Sequence, residues 1–213
     1  YLAGRHGEAF ASAAAARAVA EELGHPELRA LGAMSQGHVR GLQGWAPEAE
    51  AHLLASTRFF SEAQRYDYWN RAQTFYGHVL ALQGRVQDGL DELRQAEELA
   101  TSIGHPVLLL VVALIRGMLR FFIGDWPAAI ADEEATTQLS ERTEILTLRF
   151  AGLVVLAWAE VRLGRLAAAR AHLDQADEMM ASMGGRLTVF DFLLCAKAEA
   201  LLLAGSFTEA IRL

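Results

Sequence analysis

Histidines and neighbouring carboxylates are the residues of this chain whose types could support acid–base or metal chemistry. The seven histidines are spread along the whole sequence, at positions 6, 25, 38, 52, 78, 105 and 172. Paired carboxylates, which can act as general acid and base, occur at 97–98 and 132–134. The sequence contains no His-Glu-x-x-His helix, no Gly-x-Ser-x-Gly turn and only one cysteine, so the common zinc and nucleophile motifs are missing. We therefore expect a chain that is not an enzyme and binds no metal or cofactor.

The acidic stretches and Cys195 have simpler structural interpretations. Runs of charge on helices usually form solvated faces, so residues 97–98 and 132–134 are predicted to be exposed. A lone cysteine cannot form an internal disulfide. Cys195 is therefore predicted to be a small buried residue of a protein in the reducing cytoplasm.

Net charge and hydropathy exclude further classes of partner. The formal net charge of -7 repels the phosphates of nucleic acids and the anionic surface of membranes. The most apolar run, from Val107 to Ile115, is far shorter than the roughly 20 residues that cross a bilayer. We expect neither nucleic acid nor a membrane as a partner.

Glycines recur at a fixed interval that predicts a repeat protein. Members of the series are 40 residues apart at Gly4, Gly44, Gly84, Gly124 and Gly164, and Gly205 follows one residue late. Small residues recur in step with these glycines, and such self-similarity is typical of solenoids. Alanine and leucine dominate and there are only 4 prolines, which favours helices. The predicted fold is an all-α solenoid, a right-handed superhelix of about five repeats of antiparallel helix pairs.

Within a repeat the sequence predicts a short helix, a tight turn and a longer helix. The short helix ends near Gln83, Gly84 forms the turn, and the longer helix runs from Arg85 to Ser102. The segments 24–26 and 104–106 both read Gly-His-Pro, in which glycine ends one helix and proline opens the next. One pair cannot bury its own apolar face, so neighbouring pairs must stack. Residues 1–213 are expected to form a single helical repeat domain that is a fragment of a longer protein.

Two repeats carry small residues at the same four positions, namely Gly77, Gly84, Gly89 and Ala96, and Ala157, Gly164, Ala169 and Ala176. This pattern resembles the tetratricopeptide repeat, whose usual unit has roughly 34 residues. The longer unit seen here is similar to the arrays of large bacterial signal-transduction ATPases, including transcription activators of the maltose-regulator type and cyclases with an attached repeat array. Such an array would act as a sensor or assembly arm.

The resemblance implies that the short helices line a concave groove and that ligands contact the fifth, ninth and twelfth positions of the repeat. The candidate groove residues at these positions are Met34, His38, Thr74, His78, Leu114, Met118, Phe121, Val154, Trp158 and Glu199. Their largely apolar character suits an apolar peptide or helix. The alternative is that a tightly wound superhelix buries these side chains against each other.

A second aromatic group is concentrated between two repeats, at Phe59, Phe60, Tyr66, Tyr68, Trp69, Phe75 and Tyr76. It is predicted to pack internally, and any exposed part of it would mark a contact surface.

The expected function is a non-catalytic scaffold for protein–protein interaction within a larger bacterial regulatory protein. Its partner would be a protein or peptide, a flanking domain of the same chain, or a second copy. The alternative is a sensor that binds a small molecule or peptide in the groove and regulates an attached ATPase, cyclase or transcription-activator module.

Overall fold

The computed structural model describes residues 5–185, 187 and 189–213, and every regular element in these ranges is an α-helix. The helices are α1 (His6–Glu22), α2 (Pro26–Leu42), α3 (Ala46–Glu62), α4 (Tyr66–Leu82), α5 (Val86–Ser102), α6 (Pro106–Phe122), α7 (Trp126–Thr143), α8 (Leu146–Arg162), α9 (Leu166–Ser182), α10 (Phe190–Leu203) and α11 (Phe207–Arg212). Consecutive helices pack pairwise in a repeating array. The predicted all-α solenoid class is confirmed.

The helices from α1 to α10 all end in the same kind of turn. A residue with left-handed backbone angles stands about every 20 residues, at Gly24, Gly44, Gln64, Gly84, Gly104, Gly124, Glu144, Gly164, Gly184 and Gly205. In the first of these turns the N–H of His25 donates to the carbonyl of Ala20 at 2.8 Å, and that of Gly24 to Glu21 at 3.1 Å. This is the Schellman arrangement, which satisfies the last carbonyls of a helix.

These turns correct the predicted alternation of a short and a longer helix. The helices α1 to α6, α8 and α9 each have 17 residues. Two equal helices and their two turns fill the 40-residue interval. The glycines of the half-interval turns are visible in the sequence at Gly24 and Gly104, but their series is interrupted because Gln64 and Glu144 adopt the left-handed conformation without being glycine. The turn at Gly84 and the helix starts at Pro26 and Pro106 are confirmed. Gly4 lies outside the described residues.

The two Gly-His-Pro segments combine a helix stop with a helix start. His25 and His105 each accept, through Nδ1, a hydrogen bond of 3.4 Å from the backbone N–H of Leu28 and Leu108. Each histidine therefore caps the helix that its following proline opens, in the manner of an N-cap side chain. Their role in these turns is structural.

The chain divides into two compact units, residues 5–115 and 116–213. In the first unit each of α2 to α4 packs on the helices before and after it, around a core that includes Leu53, Phe60 and Phe75. In the second unit α8 packs on α7, α9 and α10, and its core includes Phe150 and Leu193.

Small residues allow close approach within the helix pairs. A Cβ added to Gly77 of α4 would lie only 2.8 Å from the carbonyl oxygen of Gly89 of α5, and one added to Gly37 of α2 would lie 2.6 Å from Cγ of Leu53 of α3. Side chains at these positions would therefore force the helices apart. The recurring small residues thus maintain close contact between paired helices.

Two exposure predictions are wrong. Asp132 and Glu133 are buried. Glu133 occupies the repeat position of Leu53 and Leu93, and this position faces the interior. Asp132 forms ion pairs with the neighbouring arginines Arg116 and Arg120. Cys195 is exposed. The buried side of α10 is taken by Leu193 and Ala196.

The apolar run from Val107 to Ile115 lies inside α6, and most of its side chains are buried or half-buried. Within the described ranges, the helices fall short of the combined length and hydropathy needed to cross a membrane.

Candidate functional site

The candidate groove residues lie on the even-numbered helices, as the repeat pattern predicts, but most of them are inside the protein. Eight of the ten are buried, namely Met34, His38, Thr74, His78, Leu114, Met118, Phe121 and Val154. Trp158 and Glu199 are half-buried. Five of the ten belong to the first unit and five to the second.

In the first unit, the two histidines of the candidate groove are part of a packed interior. The ring of His38 stacks on that of Phe75, with centroids 3.6 Å apart and planes 12° from parallel. Burial, with a further contribution from His78, lowers the pKa of His38 to about 3. Burial alone lowers the pKa of His78 to about 4. Both side chains are therefore neutral at pH 7 and carry no charge for a ligand.

Thr74 and Asn70 of α4 also make hydrogen bonds inside the first unit. The hydroxyl of Thr74 donates to the carbonyl of Asn70 at 2.8 Å, one turn earlier in the same helix. The side-chain amide of Asn70 donates in turn to the carbonyl of Ala96 in α5. The bond from Asn70 holds α4 against α5, although the side-chain oxygen of Asn70 is buried without a partner among the described residues.

In the second unit, the aromatic members of the candidate groove belong to a group of four rings, which we call the aromatic cluster: Phe121, Phe122, Trp158 and Phe192. Ring centroids are 4.7 Å apart for Phe121 and Trp158, 5.7 Å for Trp158 and Phe192, and 5.5 Å for Phe122 and Phe192. Such separations are typical of interacting aromatic pairs. The cluster joins α6, α8 and α10 and is partly open, since Phe122 is 53% exposed.

A charged pair borders the aromatic cluster. The indole N–H of Trp158 donates to Oε2 of Glu199 at 2.7 Å, and Oε1 of Glu199 lies 3.0 Å from Nε of Arg162. Arg162 follows Trp158 by one turn of α8, with its guanidinium carbon 6.0 Å from the centre of the Trp158 ring. The carboxylate therefore fixes both the indole and the guanidinium. The arrangement offers apolar surface with a polar edge, the composition of many protein-binding patches.

Three residues of this surface were not among the sequence candidates. Phe122 could have been predicted from the sequence, because it adjoins the candidate Phe121. Arg162 could also have been predicted, because it follows Trp158 by one helical turn. Phe192 could not have been predicted in this way, since it falls outside the fifth, ninth and twelfth positions of the repeat. Only the packing of α10 brings it to the cluster.

The described residues contain no group of three or more histidine, cysteine, aspartate or glutamate side chains that could hold a metal ion. No protein-family model matches the chain, and no curated protein sequence matches it. The geometry of the two units is therefore the basis for any functional argument.

Proposed function

We propose that this chain is a non-catalytic protein-interaction module of the tetratricopeptide-like kind, which binds an apolar segment of a partner protein through the aromatic cluster of the second unit. The observation that supports this proposal is the 53% exposure of Phe122 beside the half-buried rings of Trp158 and Phe192. Aromatic side chains held in place by their neighbours make strong anchors, because little conformational entropy is lost when a partner covers them.

The polar edge favours a protein partner over a purely apolar ligand. Arg162 is 41% exposed and Glu199 25%, so both can hydrogen-bond to the backbone of a bound segment while remaining paired to each other. A rim of polar groups around an apolar centre excludes water from the anchor without burying an unpaired charge. The tetratricopeptide resemblance supports the same use, and with it a place in a larger bacterial regulatory protein in the cytoplasm.

The experiment is selection of binding peptides from a random library displayed on phage, with the intact chain as bait. Peptides selected through the aromatic cluster should carry large apolar residues. Replacing the exposed ring, Phe122→Ser, should weaken their affinity at least tenfold, or about 1.4 kcal/mol. Trp45→Ser is the matched control, because Trp45 is equally exposed, at 55%, but belongs to the first unit.

Circular dichroism should show both variants to be as helical as the parent chain, since each change is at the surface. Selected peptides without apolar residues, or peptides that bind Phe122→Ser as tightly as the parent, would contradict the proposal. Loss of binding with Trp45→Ser alone would place the contact surface in the first unit.

A further inference from the structure

A cleft in the first unit, away from the candidate groove residues, has the features of a small-molecule site. Its floor is α4 and its walls are α3 and α5. It is broadly open to solvent and has a volume of about 440 Å³. Ligand pockets commonly have volumes of roughly 300–1,000 Å³. The volume of the cleft is therefore sufficient for a compact metabolite.

One wall supplies two opposite charges that have no partner among the residues the structure describes. Arg58 and Glu62 lie one turn apart on the same face of α3, and both line the cleft. Among the described residues neither takes part in an ion pair or hydrogen bond. An arginine that precedes glutamate by four residues is the less favourable order for a pair within a helix. Both charges are thus available to a bound molecule.

The opposite wall and the floor add apolar and polar groups. Trp69 and Tyr76 stand two turns apart on α4, both half-buried, with ring surface left toward the cleft that they line. Glu92 of α5 accepts a hydrogen bond from the amide of Gln73, and burial raises the pKa of its carboxyl group above the ordinary value. On the α3 wall, the hydroxyl of Thr57 is buried and has no hydrogen-bond partner among the described residues, which is rare for such groups.

We propose that this cleft binds a free α-amino acid with a large apolar side chain. Arg58 would pair with the carboxylate, since guanidinium groups match carboxylates in shape and charge. Glu62 would pair with the ammonium group. The rings of Trp69 and Tyr76 would cover the side chain and add cation–π attraction for the ammonium group. Phosphorylated metabolites are disfavoured, because the lining offers one arginine against two glutamates.

The test uses isothermal titration calorimetry on the intact chain with the individual natural amino acids. At least one apolar amino acid, such as leucine, phenylalanine or tryptophan, should bind and raise the melting temperature. Its N-acetyl and carboxamide derivatives, each lacking one of the two charges, should bind at least tenfold more weakly. Inorganic phosphate should not bind.

Two surface variants locate the site. Arg58→Ala should weaken binding at least tenfold, and Glu62→Gln should weaken it severalfold, with helicity unchanged in both. Arg94→Ala is the matched control, because Arg94 is an exposed arginine of α5 that is paired with Asp91 and does not line the cleft. No binding of any amino acid at millimolar concentration, or binding that both Arg58→Ala and Glu62→Gln leave unchanged, would overturn the proposal. So would binding of the N-acetyl and carboxamide derivatives as tight as that of the free amino acid.

Discussion

Gly117 of α6 lies directly against the carboxyl group of Glu133 of α7, so closely that a Cβ on Gly117 would overlap the carboxyl oxygen. Glu133 is fully buried, and neither of its carboxyl oxygens has a hydrogen-bond partner among the described residues. The hydroxyl of Thr136, one turn away, donates instead to the carbonyl of Asp132 at 3.0 Å. In another repeat the equivalent contact joins Gly77 and Leu93. The second unit thus holds an acid where the first holds a leucine.

Replacing this acid by leucine is predicted to stabilise the protein. A buried polar group without a partner costs about 1–3 kcal/mol, and the contact between Leu93 and Gly77 shows that leucine fits beside glycine here. Glu133→Leu should therefore raise the free energy of unfolding in urea by about that amount. Glu134→Leu is the control, since Glu134 is exposed and its replacement should change stability by less than about 0.5 kcal/mol. Destabilisation by Glu133→Leu would show that the site is shaped for the carboxyl group.

The same residue predicts a dependence of stability on pH. Burial, and next the charge of Asp132, raise the pKa of Glu133 well above its ordinary value. The folded state then holds this proton more tightly than the unfolded state, so stability falls as pH rises above the unfolded pKa of about 4.3 and continues to fall up to the folded pKa.

Glu133→Gln keeps the shape of the side chain but cannot ionise. Its advantage in unfolding free energy over the parent chain should therefore be small at pH 4 and grow toward pH 8, while contributions from groups that do not interact with Glu133 cancel. A difference that stays constant across this range would contradict the burial of an ionisable acid.

In the first unit His38 and His78 predict the opposite response to acid. Burial lowers the pKa of His38 to about 3 and of His78 to about 4. The unfolded chain takes up these protons near pH 6.5, so stability is lost as pH falls below that value, by up to about 1.4 kcal/mol per pH unit for each histidine until its folded pKa is reached. Urea unfolding between pH 7 and pH 5 should show this slope. The double variant His38→Gln, His78→Gln should show a flatter one, and parallel profiles would argue against buried neutral histidines.

The left-handed backbone angles of Gln64 are expected to lower the stability of the protein. Gln64 has φ of 53° in a turn whose counterparts are mostly glycine, and left-handed angles cost a residue with a Cβ about 1–2 kcal/mol. Gln64→Gly should raise the unfolding free energy by about 0.5–1 kcal/mol, after allowing for the greater freedom of glycine in the unfolded chain.

Gly104→Ala is the converse test of the same turn. Apart from its neighbours in the chain, no described residue has an atom within 4 Å of a Cβ added at Gly104, so packing would not contribute. The substitution should lower the unfolding free energy by about 1 kcal/mol through backbone strain alone. A neutral result for both substitutions would show that these turns tolerate side chains freely.

Sequence reasoning identified the repeat because glycine is nearly obligatory where a helix ends in a left-handed turn. The turns at Gln64 and Glu144 were not predicted, because these residues adopt the same angles without glycine. The equal length of the paired helices was lost with them. A pattern of glycines identifies only those turns that contain glycine.

The candidate site was predicted less well. Position in a repeat indicates which helix face a residue shares, and the structure places Trp158 and Glu199 within hydrogen-bond distance of each other. Position in a repeat does not indicate how tightly neighbouring helices pack over that face. On that face His38 and His78 are buried. The burial of Glu133 was predictable in principle from its leucine counterparts, but its neighbours Asp132 and Glu134 gave it the appearance of a surface charge run.

The uniform turns bear on how such a chain lengthens during evolution. A stretch of coding sequence that runs from one turn to the equivalent turn 40 residues later begins and ends in the same backbone geometry. Unequal crossing-over at these points would add or remove a whole helix pair and preserve the contacts on either side. The consequence of a duplication depends, however, on which repeat is copied. A duplication of the stretch from Asp125 to Gly164 would copy the buried acid as well, and the enlarged array would carry two such acids.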